Sequence, residues 1–505
     1  MQFNSYIFIL CFLPITLLGY FGLHNINKKN AAQGFLLLMS LWFYGYFNPS
    51  YLLIICASIV INYVLYRGMD AGKVPKKVLL SLGLIFNIGL IFYFKYYDFF
   101  LENINALFKT DFVLRHITLP LGISFFTFQQ ISFIVDAYRG EVRDYSFLEY
   151  ALFVSFFPQL VAGPIVLHKE LIPEFRNKEK YRPSFDNLSR GLMIFSRGLA
   201  KKMLIADMFG GAVDFGINQA SVVAVGEGAL TRPEIIILML SYTFQIYFDF
   251  SGYSDMATGL GRMFNFDIPM NFNSPYKALS IADFWKRWHM TLTRFLTTYV
   301  YIPLGGNRKG KVRTYINTMI VFLVSGIWHG ANWTFILWGV LHGIGQCINK
   351  LFHNVWRSGC RFLEKSMAGK LLSKLFGAFA WIITFAFLNV TWLLFRADSV
   401  TMWLQILKRL TVLNLDIRED MLEPFRIPKF SYLLSALSLP SSDGAALRIS
   451  CALAMAFALI ICLCFKNNYE REYKLNIRNM LFTAALLFMC IISMSSISTF
   501  LYFNF

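Results

Sequence analysis

The sequence has few charged residues: Asp, Glu, Lys and Arg make up only 15% of its 505 residues, against about 25% in a typical soluble domain. Hydrophobic residues make up 56% of the chain, and the mean hydropathy is +0.52. A soluble protein would have no place to bury this much apolar surface, and a disordered chain would not contain it. The composition therefore predicts an all-α, polytopic membrane protein.

Several signatures of other protein classes are missing. The eight cysteines form no CxxC pair, so we expect neither a disulfide framework nor a zinc site. There is no GxSxG, P-loop or HExxH motif, and no internal repeat of the kind that inverted-repeat transporters have. The net charge of +18 comes mostly from short loops between apolar runs, a pattern typical of cytoplasmic loops. We therefore expect no nucleic-acid partner.

Apolar runs predict about eleven transmembrane spans, each of which needs about 20 residues. They are Tyr6–Leu23, Ala32–Phe47, Tyr51–Leu65, Val78–Tyr96, Leu119–Tyr138, Phe147–Leu167, Ile235–Phe250, Tyr315–Ile348, Gly377–Phe395, Ile449–Phe465 and Met480–Phe503. The run Tyr315–Ile348 is too long for one upright span, so we expect two spans or a broken helix near Gly330. Lys and Arg alternate between the early loops in a way that places the N-terminus outside.

The chain is predicted to form one membrane-embedded domain over residues 1–505. Within it, residues 1–140 hold the N-terminal spans, 141–396 a core, 397–448 a polar loop and 449–505 the C-terminal spans. The segment Lys169–Lys202 is polar and basic, and apolar residues are interspersed at helical spacing within Leu188–Met208. This pattern predicts amphipathic helices on the cytoplasmic face, and Asp283–Tyr301 has the same character.

Polar residues inside apolar runs are expensive in a membrane and mark functional sites. His329 lies in the run VSGIWHGANW. On a continuous helix Ser325 and Trp333 would share its face, and Asn332 would lie one turn away. Two interpretations fit: a hydrogen-bonded packing histidine that links two helices, or a functional histidine that lines a polar cavity.

A second histidine, His289, lies in IADFWKRWHMTLTRFL. Ser280 is predicted to begin a capping box at the start of this helix. Trp285 and His289 would then face inward, while Lys286 and Arg287 would face the other way. The alternative is an interfacial helix anchored in lipid headgroups by its aromatic and basic residues, which leaves an inward His289 unexplained.

A third polar cluster is YFDFSGYSDMATGLG, which contains Asp249, Tyr253 and Asp255. The two aspartates are interpreted either as a proton or cation path or as the start of a loop. They show no metal-ligand pattern with a nearby histidine. His342 would face away from His329 on one continuous helix, so we expect it to serve packing.

Together, these residues indicate one or two buried histidines without an obvious nucleophile. This suits acyl transfer between two bound substrates. A histidine base takes a proton from an acceptor hydroxyl, which attacks a thioester directly.

These segments resemble the membrane-bound O-acyltransferase (MBOAT) family. FWKRWHMTLTRFL, followed further along by SGIWHGANWTFILWGVLHG, is similar to the family's two-histidine signature, with His289 and His329 at its two positions. LPLGISFFTFQQISFIVDAYRG, FVSFFPQLVAGPI, NFNSPY and YIPLGGNR resemble its bacterial polysaccharide O-acetylation branch. The likeness extends to the terminal FLYFNF. Met290 and Arg294 depart from the family's usual residues beside the first histidine.

The resemblance implies a ring of helices around a central tunnel, with re-entrant helices at its floor. His329 would lie near the middle of the tunnel as the base or a transient acyl carrier, and His289 near its cytoplasmic mouth in an assisting role. Lys286 and Arg287 would attract the phosphates of the donor. The expected lining residues are Trp328, Asn332, Ser325, Trp285, Asp249 and Tyr253.

The implied donor is cytosolic acetyl-CoA, acting as a substrate, and neither a bound cofactor nor a metal is expected. The acetyl group would cross the bacterial cytoplasmic (inner) membrane, whose lipid surrounds the protein. An extracytoplasmic, esterase-like acetyltransferase of the SGNH type would then transfer it to a polysaccharide such as alginate or peptidoglycan. Two alternatives remain: D-alanyl transfer to teichoic acid, and a transporter or flippase with Asp249 and Asp255 as its coupling-ion site.

Overall fold

The computed structural model describes residues 1–505 except 27, 224, 225, 227, 364–366, 438, 495–499 and 502–505. All the regular secondary structure in the described part of the chain is helical. This confirms the predicted all-α fold class.

The N-terminal third consists of six helices and two π-helical turns. In chain order they are a π-turn (Phe8–Phe12), α1 (Leu13–Asn25), α2 (Lys29–Gly45), α3 (Ser50–Ala71), α4 (Lys76–Ile91), a π-turn (Phe92–Tyr96), α5 (Tyr97–Phe108) and α6 (Ile123–Tyr138). The second π-turn joins α4 to α5 without a break, and its Lys95 and Tyr96 contact the backbone of residues 327–329.

The middle of the chain supplies the next eleven helices. They are α7 (Phe147–Ser155), α8 (Phe157–Leu160), α9 (His168–Arg176), α10 (Phe185–Ala200), α11 (Asp207–Val222), α12 (Arg232–Met263), α13 (Ile281–Arg287), α14 (Met290–Leu296), α15 (Lys311–His329), α16 (Trp333–Leu363) and α17 (Met367–Arg396). Further π-turns lie at Lys201–Ala206 and Thr297–Tyr301, and 3-10 turns at Lys178–Tyr181 and Pro275–Lys277. The predicted span Phe147–Leu167 is therefore not one helix, because the backbone leaves the helical region at Phe156.

The C-terminal part begins with short helices in the segment predicted as a polar loop. They are α18 (Val400–Arg409), α19 (Glu419–Leu422), a 3-10 turn (Glu423–Phe425) and α20 (Phe430–Ala436), followed by the longer α21 (Asp443–Cys464) and α22 (Ile477–Ile492). The last predicted span, Met480–Phe503, extends beyond α22, and much of its end and of the terminal FLYFNF lies outside the described residues.

Six helical segments of the described chain are long and apolar enough to cross a membrane. They are Phe8–Asn25, Ser50–Ala71, Lys76–Phe108, Arg232–Met263, Leu371–Arg396 and Asp443–Cys464. They confirm a multi-pass membrane protein. Several of the other predicted spans coincide with helices that are shorter than these segments, such as α2 and α6.

The helices α10 and α11 continue one another through the π-turn Lys201–Ala206 and run antiparallel to α12. Gly191 and Gly198 of α10 face Gly259 and Gly252 of α12, and a Cβ atom on Gly252 would lie 2.7 Å from the carbonyl oxygen of Gly198. Such close approach requires glycine on both helices. The predicted amphipathic segment thus packs its apolar face on a core helix.

Candidate active site

The helices α15 and α16 form a hairpin that turns at residues 330–332, as the sequence predicts for the long run around Gly330. The hairpin closes tightly because Gly326 and Gly339 meet, and a Cβ atom on Gly326 would lie 3.1 Å from the Cα atom of Gly339. This contact brings the start of α16 back along the end of α15.

His329 is the last residue of α15, and only 4% of its surface is exposed. Its ring centroid lies 4.9 Å from that of Trp328, 5.1 Å from that of Trp338 and 5.1 Å from that of Phe395. Because the helix ends here, the prediction that Trp333 shares the face of His329 is wrong: Trp333 is exposed. His329 is therefore enclosed by aromatic rings from α15, α16 and α17.

His289 lies between α13 and α14 and is fully buried. Its backbone is left-handed, with φ at +45°, so the helix predicted across it is broken at this residue. Of the predicted capping box, the first half is present, since the Ser280 side chain accepts a hydrogen bond from the backbone N–H of Asp283. A left-handed histidine is costly for an L-residue and is held by its surroundings.

Asn271 holds the His289 ring. It begins the motif NFNSPY, but it was not among the predicted site residues. Its Oδ1 lies 3.1 Å from Nδ1 of His289. The same oxygen accepts hydrogen bonds from the backbone N–H and the hydroxyl of Thr291, at 3.2 and 2.9 Å. Because that oxygen is an acceptor, His289 donates from Nδ1, and the lone pair of its neutral ring is on Nε2.

Trp328, which was predicted to line the tunnel, contacts the rings of both histidines. Its ring centroid lies 6.1 Å from that of His289 and 4.9 Å from that of His329, and it stacks on Phe128 at 5.1 Å. Its indole Nε1 and the hydroxyl of Ser325 are buried without a hydrogen-bond partner among the described residues. Both are donors that a bound molecule with acceptor oxygens would satisfy.

Trp285 belongs to the same cluster but makes a specific contact of its own. Its indole Nε1 donates to Nδ1 of His342 at 3.2 Å, and the ring of His342 lies 4.6 Å from that of Trp338. The prediction that His342 faces away from His329 is wrong, because it assumed one continuous helix. The hairpin turn brings both histidines to Trp338.

Asn332 lies at the hairpin turn, where its side chain bonds to backbone groups. Its Oδ1 accepts from the N–H of Thr334 at 2.9 Å, and its Nδ2 donates to the carbonyl oxygen of Asp398 at 2.9 Å. It thus caps the start of α16 and ties the turn to the chain beyond α17.

The third predicted cluster is not the start of a loop, because α12 continues through it to Met263. Asp249 is buried, and its Oδ1 lies 2.7 Å from Nζ of Lys202. Asp255 pairs with Lys201 at 2.6 Å. Both aspartates are therefore part of the contact between α12 and the long helix beside it.

Tyr253 lies in the same helix between those aspartates. Its ring stacks on Phe3 with centroids 4.9 Å apart and meets the edge of Phe500 at 4.7 Å. Nearby, the ring of Phe250 lies 4.8 Å from that of His289. The helix α12 thus reaches the histidine site through Phe250.

The two basic residues predicted to attract a donor differ in their surroundings. Nε of Arg287 donates to Oδ1 of Asp283 at 2.9 Å, and its Nη1 donates to the carbonyl oxygen of Asn273 at 3.3 Å. Lys286 is exposed. Arg287 is thus fixed by contacts within the chain, whereas Lys286 faces outward.

A separate buried cluster surrounds His168, which the sequence did not single out. Its Nε2 lies 3.1 Å from Oδ2 of Asp136, and the hydroxyl of Tyr299 donates to the same oxygen at 2.7 Å. Among the described residues, no group of three or more His, Cys, Asp or Glu side chains could hold a metal ion.

Comparisons with known proteins identify the family of the chain. The model of MBOAT, the membrane-bound O-acyltransferase family, matches residues 61–396, which contain both histidines. The chain is 44% identical to a peptidoglycan O-acetyltransferase of Helicobacter pylori, over 82% of this chain and 80% of that protein. It is 36% identical to a probable alginate O-acetylase, AlgI, of Pseudomonas aeruginosa, over 79% of this chain and 73% of that one.

A more distant similarity is to a teichoic acid D-alanyltransferase of Streptococcus thermophilus, 28% identical over 45% of this chain and 56% of that protein. The fold, the buried histidines and these relatives define a multi-pass membrane acyltransferase. The chain belongs to the membrane-bound O-acyltransferase family, and the resemblance noted from its motifs is confirmed.

Proposed function

We propose that this protein moves an acetyl group from cytosolic acetyl-CoA across the bacterial cytoplasmic membrane for O-acetylation of an extracytoplasmic polysaccharide. Similarity to a peptidoglycan O-acetyltransferase and to an alginate O-acetylase over most of the chain supports acetyl transfer. The matches to teichoic acid D-alanyltransferases cover 45% and 53% of the chain, at 28% and 27% identity. Peptidoglycan is the acceptor to test first, because the relative that carries this name has the higher identity.

The observation that carries the proposal is the enclosure of His329 among buried aromatic rings, next to donors that have no partner in the described chain. In the proposed reaction a ring nitrogen of His329 takes the proton of an acceptor hydroxyl. The hydroxyl oxygen bonds to the acetyl carbonyl carbon, the carbon–sulfur bond breaks, and the thiolate recovers the proton from the imidazolium. The indole N–H of Trp328 donates to the carbonyl oxygen as its negative charge develops.

His289 assists by the geometry that Asn271 gives its ring. With Nδ1 hydrogen-bonded to the amide oxygen, Nε2 is the ring nitrogen that accepts a hydrogen bond from a second hydroxyl or water in the proposed reaction. Lys286, exposed beside the site, attracts the phosphates of the donor, and Arg287 adds its charge nearby. A partner acetyltransferase of the SGNH type on the outer side receives the acetyl group and completes the transfer to the glycan.

The test is the ester-bound acetate in glycan from cells that carry His329→Ala in place of the wild-type gene. A general base contributes about 10²- to 10⁴-fold to a rate, so we expect O-acetylation to fall below detection. The matched control is His342→Gln. His342 is also fully buried, and glutamine retains an acceptor for the indole N–H of Trp285. Normal acetylation with normal amounts of the His329→Ala protein would overturn the proposal.

The transporter alternative used Asp249 and Asp255 as a coupling-ion site. Both carboxylates are paired with lysines of the neighbouring helix, at 2.7 and 2.6 Å. These pairs disfavour the alternative, since a coupling site needs carboxylates that exchange their partner for an ion. Uptake by vesicles with and without an ion gradient separates the two functions.

A further inference from the structure

One turn of the long helix Lys76–Phe108 contacts the end of α15. This turn, Phe92–Tyr96, is π-helical, so it contains one more residue than an α-helical turn. It presents Lys95 and Tyr96 together toward the last residues of α15. π-turns of this kind occur frequently at functional sites.

These two side chains cap three consecutive carbonyl groups of α15. Nζ of Lys95 donates to the carbonyl oxygens of Trp328 and His329, at 2.7 and 3.0 Å. The hydroxyl of Tyr96 donates to the carbonyl oxygen of Ile327 at 2.5 Å. The last four carbonyls of a helix have no partner within the helix, and one turn of another helix supplies donors to three of them.

The ammonium group of Lys95 has no carboxylate partner among the described residues. It lies within a segment long and apolar enough to span the membrane, where a charged side chain costs free energy and is retained for a reason. The Nζ atom of Lys95 faces the C-terminal end of α15, whose carbonyl groups carry partial negative charge. The cation is therefore balanced by the helix end to which His329 belongs.

The backbone of His329 needs such support because the helix stops at this residue. Gly330 is extended, with φ at −170°, so α15 does not continue to the residue four positions on, whose N–H would bond to the carbonyl of His329 in a continuous helix. The rings of Trp338 and Phe395 contact the imidazole, whereas Lys95 holds the main chain that carries it. Catalytic groups must keep their geometry to within about 0.5 Å.

We propose that Lys95 is a positioning residue for His329. It fixes the end of α15, and thereby the imidazole, through the two carbonyl groups it binds. The inference rests on the proposed function, because it assumes that His329 acts on the substrate.

The chain offers a matched control in Lys350. This lysine is exposed, but its Nζ donates to the hydroxyl of Thr318 at 2.6 Å, and it lies over the ring of Tyr301 at 5.7 Å. It binds the first half of α15, away from His329. Lys350→Met therefore removes a lysine contact to α15, the helix that Lys95 also contacts.

The experiment compares four full-length variants in cells: Lys95→Met, Lys95→Arg, Lys350→Met and His329→Ala. The readouts are ester-bound acetate in the glycan per amount of protein in the membrane, and the unfolding temperature in detergent. We expect Lys95→Met to lower O-acetylation by about tenfold or more, since small misplacements at a reacting group have effects of this size. Lys95→Arg, which retains the charge and two donors, restores most of it, and Lys350→Met acetylates normally.

Each outcome decides the inference. Normal acetylation by Lys95→Met, or an arginine variant as inactive as the methionine variant, overturns it. If Lys95→Met is absent from the membrane, Lys95→Gln is measured in its place, with the same criterion. If His329→Ala acetylates normally, the proposed function fails and the inference falls with it. If His329→Ala is inactive while Lys95→Met is normal, only the inference fails.

Discussion

The side-chain oxygen of Asn271 lies 3.1 Å from Nδ1 of His289, and it serves two further donors of Thr291. One amide oxygen therefore fixes the tautomer of a buried histidine and closes the first turn of α14. Since the backbone at His289 is left-handed, this oxygen also stabilises the break between α13 and α14.

Replacing Asn271 tests this arrangement. Asn271→Leu leaves buried donors without an acceptor, and each such group costs about 1–3 kcal/mol. We expect a lower unfolding temperature in detergent and a loss of glycan O-acetylation. The wild-type protein is the reference, and a leucine variant as stable as the wild type would contradict the role given to this oxygen.

The glycine contact between α10 and α12 gives a second prediction. A Cβ atom on Gly252 would lie 2.7 Å from the carbonyl oxygen of Gly198, so Gly252→Ala forces the two helices apart. Overpacking of this kind typically destabilises by about 1–3 kcal/mol. The control is Gly34→Ala in α2, where a Cβ atom meets nothing within 4 Å and alanine favours the helix. Thermal unfolding of both variants measures the difference, and equal unfolding temperatures would refute the close contact.

The position of His329 could be predicted because its signal is local. Gly326 and Gly330 flank the histidine within a long apolar run. This pattern indicates a helix break, whichever other helices pack against it. The break at His289 could not be predicted in the same way. Its segment has no Gly or Pro, and the left-handed backbone is held by Asn271 from a segment 18 residues away.

The packing of α10 and α11 on α12 could not be predicted for a different reason. Lys201 and Lys202 make this segment look like a surface helix. Their partners, Asp255 and Asp249, lie on another helix, about 1.7 turns apart. A hydropathy calculation counts each charged residue separately, whereas in the folded chain each lysine is paired with an aspartate of opposite charge. Lys95 is similar, because its partners are carbonyl groups more than 230 residues away.

The pair of Lys202 and Asp249 supplies the last prediction. Both side chains are 3% exposed, and Asp249 also accepts a hydrogen bond from the backbone N–H of Leu501 at 3.0 Å. Lys202→Met leaves a buried carboxylate without its cation, and breaking a buried pair in this way costs about 3–5 kcal/mol. We expect a large fall in the unfolding temperature and in the amount of protein recovered from the membrane.

Neutralising both partners should restore most of this loss. Lys202 also contacts the partly exposed Asp207, at 2.8 Å, and this contact is lost in both variants. In Lys202→Met/Asp249→Asn the fully buried carboxylate is replaced by a neutral amide whose oxygen still serves the N–H of Leu501, so the double variant should be more stable than Lys202→Met alone. It should also acetylate glycan, because these residues hold helices together and carry no ion. The control is Arg426→Met, which breaks an exposed pair with Glu423 and should change stability little. If the double variant is no more stable than Lys202→Met, the loss of stability does not come from the unpaired carboxylate. If a folded double variant fails to acetylate glycan, Asp249 takes part in the reaction.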